Sequence, residues 1–203
     1  MDLTVIAVTF ASIFVVELPD KTFIAALVLS TRYKPIAVWV GVGLAFFVQT
    51  LVAVTAGTLV DDFVPEVVVK IFTLVVFLAG AVLLFRAAPG SDAGEAEQEE
   101  EYAAKATGNT SGLHAIVTSF LVLFAAEWGD LSQLLTINFV ARFDDHVDVF
   151  LGAWGALLTV SGLAVLMGRV LLRHMRLSVL HYVGATVCLL LATWTLVEVI
   201  RGA

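Results

Sequence analysis

The stretch Glu17-Leu18-Pro19-Asp20-Lys21-Thr22 constrains this chain more than any other. It interrupts an apolar run that begins at Leu3 and resumes through Phe23 to Leu29. A second stretch, Glu127-Trp128-Gly129-Asp130-Leu131-Ser132-Gln133, stands inside another apolar run. Apolar segments of about 20 residues read as membrane spans. An ionisable side chain at membrane depth is costly, so it marks a functional site. The rest of the chain carries the same bias: 203 residues, 60% of them hydrophobic, with a mean hydropathy of +1.00. Lipid cannot satisfy the backbone of an open strand. The expected fold class is therefore an all-α integral membrane protein.

Six spans are expected, at about residues 3–30, 35–60, 67–87, 113–140, 149–172 and 179–200. The first and fourth are broken at the acidic motifs. Residues 1–87 form a first three-helix unit, 88–111 an acidic linker and 112–203 a second three-helix unit. Asp2 precedes the first apolar run without any Lys or Arg, so that run is read as a span rather than a cleaved leader. The linker carries Asp92, Glu95, Glu97, Glu99, Glu100 and Glu101 against Lys105, with Pro89, Gly90, Gly94 and Gly108. Such a segment buries nothing and reads as a solvated connector, with at most a short helix over 95–106.

The two units repeat. Adding 110 takes Glu17 to Glu127, Asp20 to Asp130, Thr22 to Ser132 and Arg32 to Arg142. Adding 111 takes Gly41 to Gly152, Ala53-Val54 to Ala164-Val165 and Gly57 to Gly168. An odd number of spans per unit makes the copies enter the membrane from opposite faces, which is an inverted repeat. Inverted repeats bring corresponding helices together near the midplane, where both acidic motifs lie. Arg32, Lys34, Arg86, Lys105, Arg169, Arg173 and Arg176 fall on the linker side, against Lys70, Arg142 and Arg201 on the other. The excess puts the linker in the cytoplasm and both termini outside.

Glu17 and Asp20 sit three apart, on one helix face, and Lys21 is four residues from Glu17. Glu17 and Lys21 can therefore pair. Pro19 should free the carbonyl of Val15, and Gly129 weakens the second helix in its place. Brought together, Glu17, Asp20, Glu127 and Asp130 form four facing carboxylates. Such a cluster needs protons or a divalent cation. Oxygen-only ligands suit Ca2+, Mg2+ or Mn2+, and the motifs offer no Cys or His for zinc or copper. Competition of metal and protons for the same acids is the physical basis of exchange, if the site opens to one side at a time.

The remaining polar residues read more plainly. Gln49, Thr50 and Asn138 lie within spans and either line the path or bond between helices. Gly41, Gly43, Gly57, Gly152, Gly155 and Gly168 are expected at close helix crossings. Glu198 is expected at the surface, and Asp61, Asp62, Asp144, Asp145 and Asp148 in outward loops. Trp39, Trp154 and Trp194 are apolar filler or interface anchors. Cys188, the lone cysteine, is a core thiol. No basic patch or nucleic-acid motif is present.

The duplicated motif resembles the mark of the Golgi-type manganese/calcium transporter family, whose bacterial members include manganese exporters. That mark is E-φ-G-D-[KR]-[TS], twice, in a six-span protein with an acidic central loop. Here Pro19 replaces the glycine of the first copy, and Leu131 replaces the basic residue of the second. The resemblance implies cation ligation by Glu17, Asp20, Thr22, Glu127, Asp130 and Ser132, and carries the basic position over to Lys21 alone. Beside Lys21, the polar residues Gln133, Gln49 and Asn138 are candidate accessory residues from their place in the motifs and spans. It implies a secondary transporter in a bacterial plasma membrane, exporting Mn2+ and also Ca2+ in exchange for protons. The metal is substrate; no permanent cofactor is expected. The partners are the divalent ion, protons and the lipid bilayer. Two fused units make a monomer a complete carrier, and a homodimer stays open. The rival classes are an intramembrane aspartyl-type protease, using Asp20 and Asp130 as a dyad, and a passive cation channel.

Overall fold

The structure, a computed structural model, describes the backbone of residues 1–18, 20–63, 65–106, 112–174 and 177–202. It describes the side chains of these residues except 60–63, 66, 92–93, 95–96, 167–174, 177 and 202. The expectations for Pro19 and Gly108, and for the side chains of Asp61, Asp62, Asp92, Glu95, Arg169, Arg173 and Arg176, lie outside these residues.

Eight helices and no strand occur among the described residues. They are α1 (Leu3–Glu17), α2 (Lys21–Arg32), α3 (Pro35–Phe63), α4 (Glu66–Lys105), α5 (Gly112–Ala126), α6 (Leu131–Phe143), α7 (His146–His174) and α8 (Leu177–Gly202). The windows Pro35–Leu59, Val67–Ser91, His146–Leu166 and Ser178–Arg201 are long and apolar enough to cross a membrane. The pairs α1–α2 and α5–α6 bend by 71° and 74° at their breaks, and each pair counted as one span raises the number to six. Leu83, Leu166, Leu190 and Trp194 stand exposed on the helix faces, an outer surface suited to lipid.

Local chemistry sets the helix ends. Asp2 accepts from the Thr4 N–H, 2.8 Å away, and caps α1. Pro35 opens α3, where its missing N–H costs nothing. Asp144 closes α6 in a left-handed conformation, φ 49°, which Asp tolerates better than most residues. Asp145 accepts from the Asp148 N–H at 3.2 Å and starts α7.

Close crossings join helices from different units. A Cβ on Gly41 of α3 would run into the Ile116 carbonyl and lie 3.0 Å from the Ser119 Cβ on α5. A Cβ on Gly152 of α7 would lie 2.7 Å from the Ile6 carbonyl and 2.9 Å from the Thr9 Cβ on α1. Each residue of the second crossing is the 110- or 111-shifted mate of one in the first. The termini of these helices match as well. The Asp2 N–H donates to Asp148, setting the start of α1 beside the start of α7. The rings of Tyr33 and His114 lie 6.1 Å apart, setting the start of α5 beside the α2–α3 turn.

Two tryptophans expected as filler or anchors join helices through polar atoms. Trp39 Nε1 donates to the Leu158 carbonyl at 3.0 Å, and Trp154 Nε1 to the Gly43 carbonyl at 3.1 Å. Glu198 is partly exposed and is also tied down. It pairs with Arg142 and accepts from Trp194 Nε1 at 2.6 Å. The linker departs furthest from expectation. Helix α4 runs through Pro89 to Lys105, and Tyr102 is only 5% exposed, within the hydrophobic core. Ala, Glu and Gln dominate this stretch and are strong helix formers, so an acidic composition does not keep it from helix.

Candidate metal centre

Both breaks are built alike. Helix α1 ends at Glu17 and α5 at Ala126, one residue before Glu127; α2 and α6 start right after Asp20 and Asp130. Each break closes on a short turn, with the Asp20 N–H on the Glu17 carbonyl at 3.1 Å and the Asp130 N–H on the Glu127 carbonyl at 3.3 Å. Two helix N-termini, with their unpaired N–H groups and partial positive charge, therefore begin at the acids. Gly129 holds φ +78°, a conformation that glycine adopts without a Cβ clash. Gln133 Oε1 accepts from the Gly129 N–H at 2.9 Å, and Gln49 donates to the Phe124 carbonyl at 2.9 Å, stitching the second break.

The bends aim the four carboxylates at one point. Glu17, Asp20, Glu127 and Asp130 each offer an oxygen, and these oxygens all lie within 4.8 Å of one another. Glu17 is 0% exposed and Glu127 2%. Neither oxygen of Glu17, nor Asp20 Oδ2, nor Glu127 Oε2 accepts a hydrogen bond of ordinary geometry from a described group. A buried charged oxygen with no donor is costly. Several such oxygens converging within ion-ligand reach form a donor set for a hard cation.

The hydroxyls and the lysine cross between motifs. Thr22 Oγ1 donates to Glu127 Oε1. Ser132, its repeat mate, is buried beside Glu127, with its hydroxyl near enough to Glu17 to bear on that carboxylate. Lys21 does not take Glu17, four residues away; its ammonium lies 3.8 Å from Asp130 on the opposite motif. Leu131, at the mate position, packs against Gly80 of α4, so Asp20 receives no corresponding cation. Four carboxylates against one ammonium leave three uncompensated negative charges, and a divalent cation leaves one.

A cavity of about 10 Å³, at the limit of room for one water, opens beside Glu127. Gln49, Thr50, Ser132, Gln133 and Thr136 supply its polar lining. Gln49 and Gln133 thus line the cavity beside Glu127. Asn138 does not. It lies two turns along α6, donates to the Leu134 carbonyl at 2.9 Å and accepts from Thr73 at 2.7 Å. It ties α6 to α4 because its amide is satisfied there. Thr136 and Tyr102 escaped sequence reasoning. Thr136 shares a face with Ser132 by its four-residue spacing. Tyr102 signalled itself only as a lone aromatic among acids. Burial, together with the charges of Glu127, Glu101 and Asp20, pushes the Tyr102 phenol up to about 12, so it stays protonated.

A sequence profile of the family described as "Divalent cation/proton antiporter GDT1" matches residues 5–92 and 115–203. The chain is 32% identical to "Protein PAM71, chloroplastic" of Arabidopsis thaliana, over 96% of its own length and 57% of that protein's. It is 30% identical to "GDT1-like protein 1, chloroplastic" of Oryza sativa subsp. indica, over 97% and 62%. It is 27% identical to the "Putative manganese exporter" of Vibrio cholerae, over 95% and 90%. The chain therefore spans less than two thirds of the two chloroplast proteins and nine tenths of the bacterial one. No solved structure matches it.

Proposed function

Because the chain belongs to the GDT1 family of divalent cation/proton antiporters, we propose that it exports Mn2+, and also Ca2+, from the cytosol in exchange for protons. It is a multi-pass membrane transporter and not an enzyme, which removes the protease reading. The observation that carries the proposal is the convergence of four buried carboxylates, one pair from each motif, on a point their oxygens can share. Glu17, Asp20, Glu127 and Asp130 are the proposed primary ligands. Thr22 and Ser132 complete the shell, Gln49 and Gln133 shape it, and Lys21 offsets part of its charge.

A cation and protons are alternative remedies for the same negative charge. Only one remedy is needed at a time, so binding one releases the other. That rule gives exchange when the site alternates between the two faces of the membrane. The matched crossings of Gly41 with Ile116 and of Gly152 with Ile6 support an inverted pair of three-span units as the alternating frame. The Vibrio cholerae relative, of similar length, carries manganese in its name, and this supports Mn2+ as first substrate. The proposed location is a bacterial plasma membrane, with the linker in the cytoplasm and both ends of the chain outside.

Uptake of radiolabelled Mn2+ and Ca2+ into proteoliposomes, with and without a pH gradient, tests this. Flux should rise when the gradient favours proton counterflow. Glu17→Gln and Asp130→Asn should each abolish it while the protein still elutes as a folded species. Wild-type flux in either variant would end the proposal. Flux indifferent to the gradient, and far above carrier turnover, would favour a channel.

A further inference from the structure

The linker end of α4 is the part of the molecule that the transport reading leaves unused. Its acids Glu97, Glu99, Glu100 and Glu101 are exposed. One residue on, Tyr102 is buried in the same core that holds the two broken spans, and Ala103 and Ala106 pack against that core. Tyr102 lies close enough to Glu127 and Asp20, one acid from each motif, for both charges to bear on its phenol. Lys105 holds the ring from outside. Its ammonium sits 5.0 Å from the ring centroid and 2.6 Å from the Glu101 carboxylate. An acidic, water-loving helix turn is thus docked by one aromatic side chain beside four carboxylates that should repel it.

We propose that Tyr102 is the stopper of the cation site on the linker side, and that the linker end of α4 must lift away before an ion can pass between the site and that side. The inference rests on the transport reading, because a stopper has meaning only where something passes. The ring, buried in the core, supplies the bulk. The exposed acids supply the reverse tendency: they are repelled by an empty, charged site and less so by one neutralised by its cation. Docking is therefore coupled to the charge state of the site. Lys105 moderates the repulsion by keeping Glu101 paired while the ring is seated.

Thiol labelling in the full-length protein tests this, on a Cys188→Ala background, since Cys188 is a buried free thiol that would otherwise confuse the count. With a membrane-impermeant reagent on reconstituted protein, Tyr102→Cys should react about tenfold more slowly than Glu101→Cys, because a docked segment must open locally before it reacts. Ser132→Cys should react about tenfold faster when combined with Tyr102→Ala than with the native tyrosine, and at the native rate with Tyr102→Phe. If Tyr102→Ala does not reconstitute, Tyr102→Leu is read in its place. Equal rates for Tyr102→Cys and Glu101→Cys, or a Ser132→Cys rate indifferent to the ring, would overturn the proposal. These rates are read without any ion flux. Loss of Mn2+ flux in the native protein would sink the transport reading and leave the labelling result standing, and the converse holds.

Discussion

Lys21 shows how far a single residue was legible. Its spacing from Glu17 suggested a pair within the first motif, yet its ammonium lies 3.8 Å from Asp130 on the second. Sequence spacing reports neighbours along one helix, and the helix breaks between Glu17 and Lys21. Once the chain bends by 71° there, helical neighbourhood no longer applies. The four acids were legible because carboxylates in apolar runs demand a reason. Their shared focus needed the bends. Leu131 offers a test at this scale. Leu131→Lys should send an ammonium toward Asp20, as Lys21 reaches Asp130, and cancel one more negative charge. Mn2+ should then bind about tenfold more weakly, equivalent to about 1.4 kcal/mol. The Mn2+-induced rise in melting temperature would shrink accordingly, and an undiminished rise would contradict the account.

Among the elements, the spans were legible because about 20 apolar residues leave little choice. The course of α4 was not. Pro89, Gly90 and the acidic run argued for an end near residue 87, and the helix continues to Lys105. Besides its strong helix formers, what docks the extension is the buried Tyr102 ring with Ala103 and Ala106 against the core, tertiary contacts with no local signature. The helix crossings fall between these cases. Glycines at matching repeat positions announced close packing, and three of them, Gly41, Gly57 and Gly152, meet carbonyl oxygens of another helix. Gly41→Ala should lower stability by about 1–3 kcal/mol, because backbone cannot move aside as a side chain can. Gly155→Ala meets nothing nearer than Phe10 at 3.7 Å and should be neutral or slightly stabilising, since Ala favours helix over Gly by about 1 kcal/mol. Thermal melting of the two variants, side by side, checks the contrast.

At the scale of the whole molecule, the proposed topology predicts sidedness. Glu100 is exposed in the linker, and Asp144 is exposed at the α6–α7 turn beside the start of the chain. On a Cys188→Ala background, Glu100→Cys and Asp144→Cys should be labelled by an impermeant reagent from opposite faces of the membrane. Labelling of both from one face would refute the six-span arrangement. The tightest crossings also have a bearing on how such a chain arises and can be divided. They run between the units, α1 with α7 and α3 with α5 and α6, and not within either one. Each broken span meets its tightest glycine crossing on a straight helix of the other copy. A gene severed at the linker would yield two fragments, each lacking the mould for its own bent segment. Function should return only when both are made together, much as two separate ancestral chains would have had to meet.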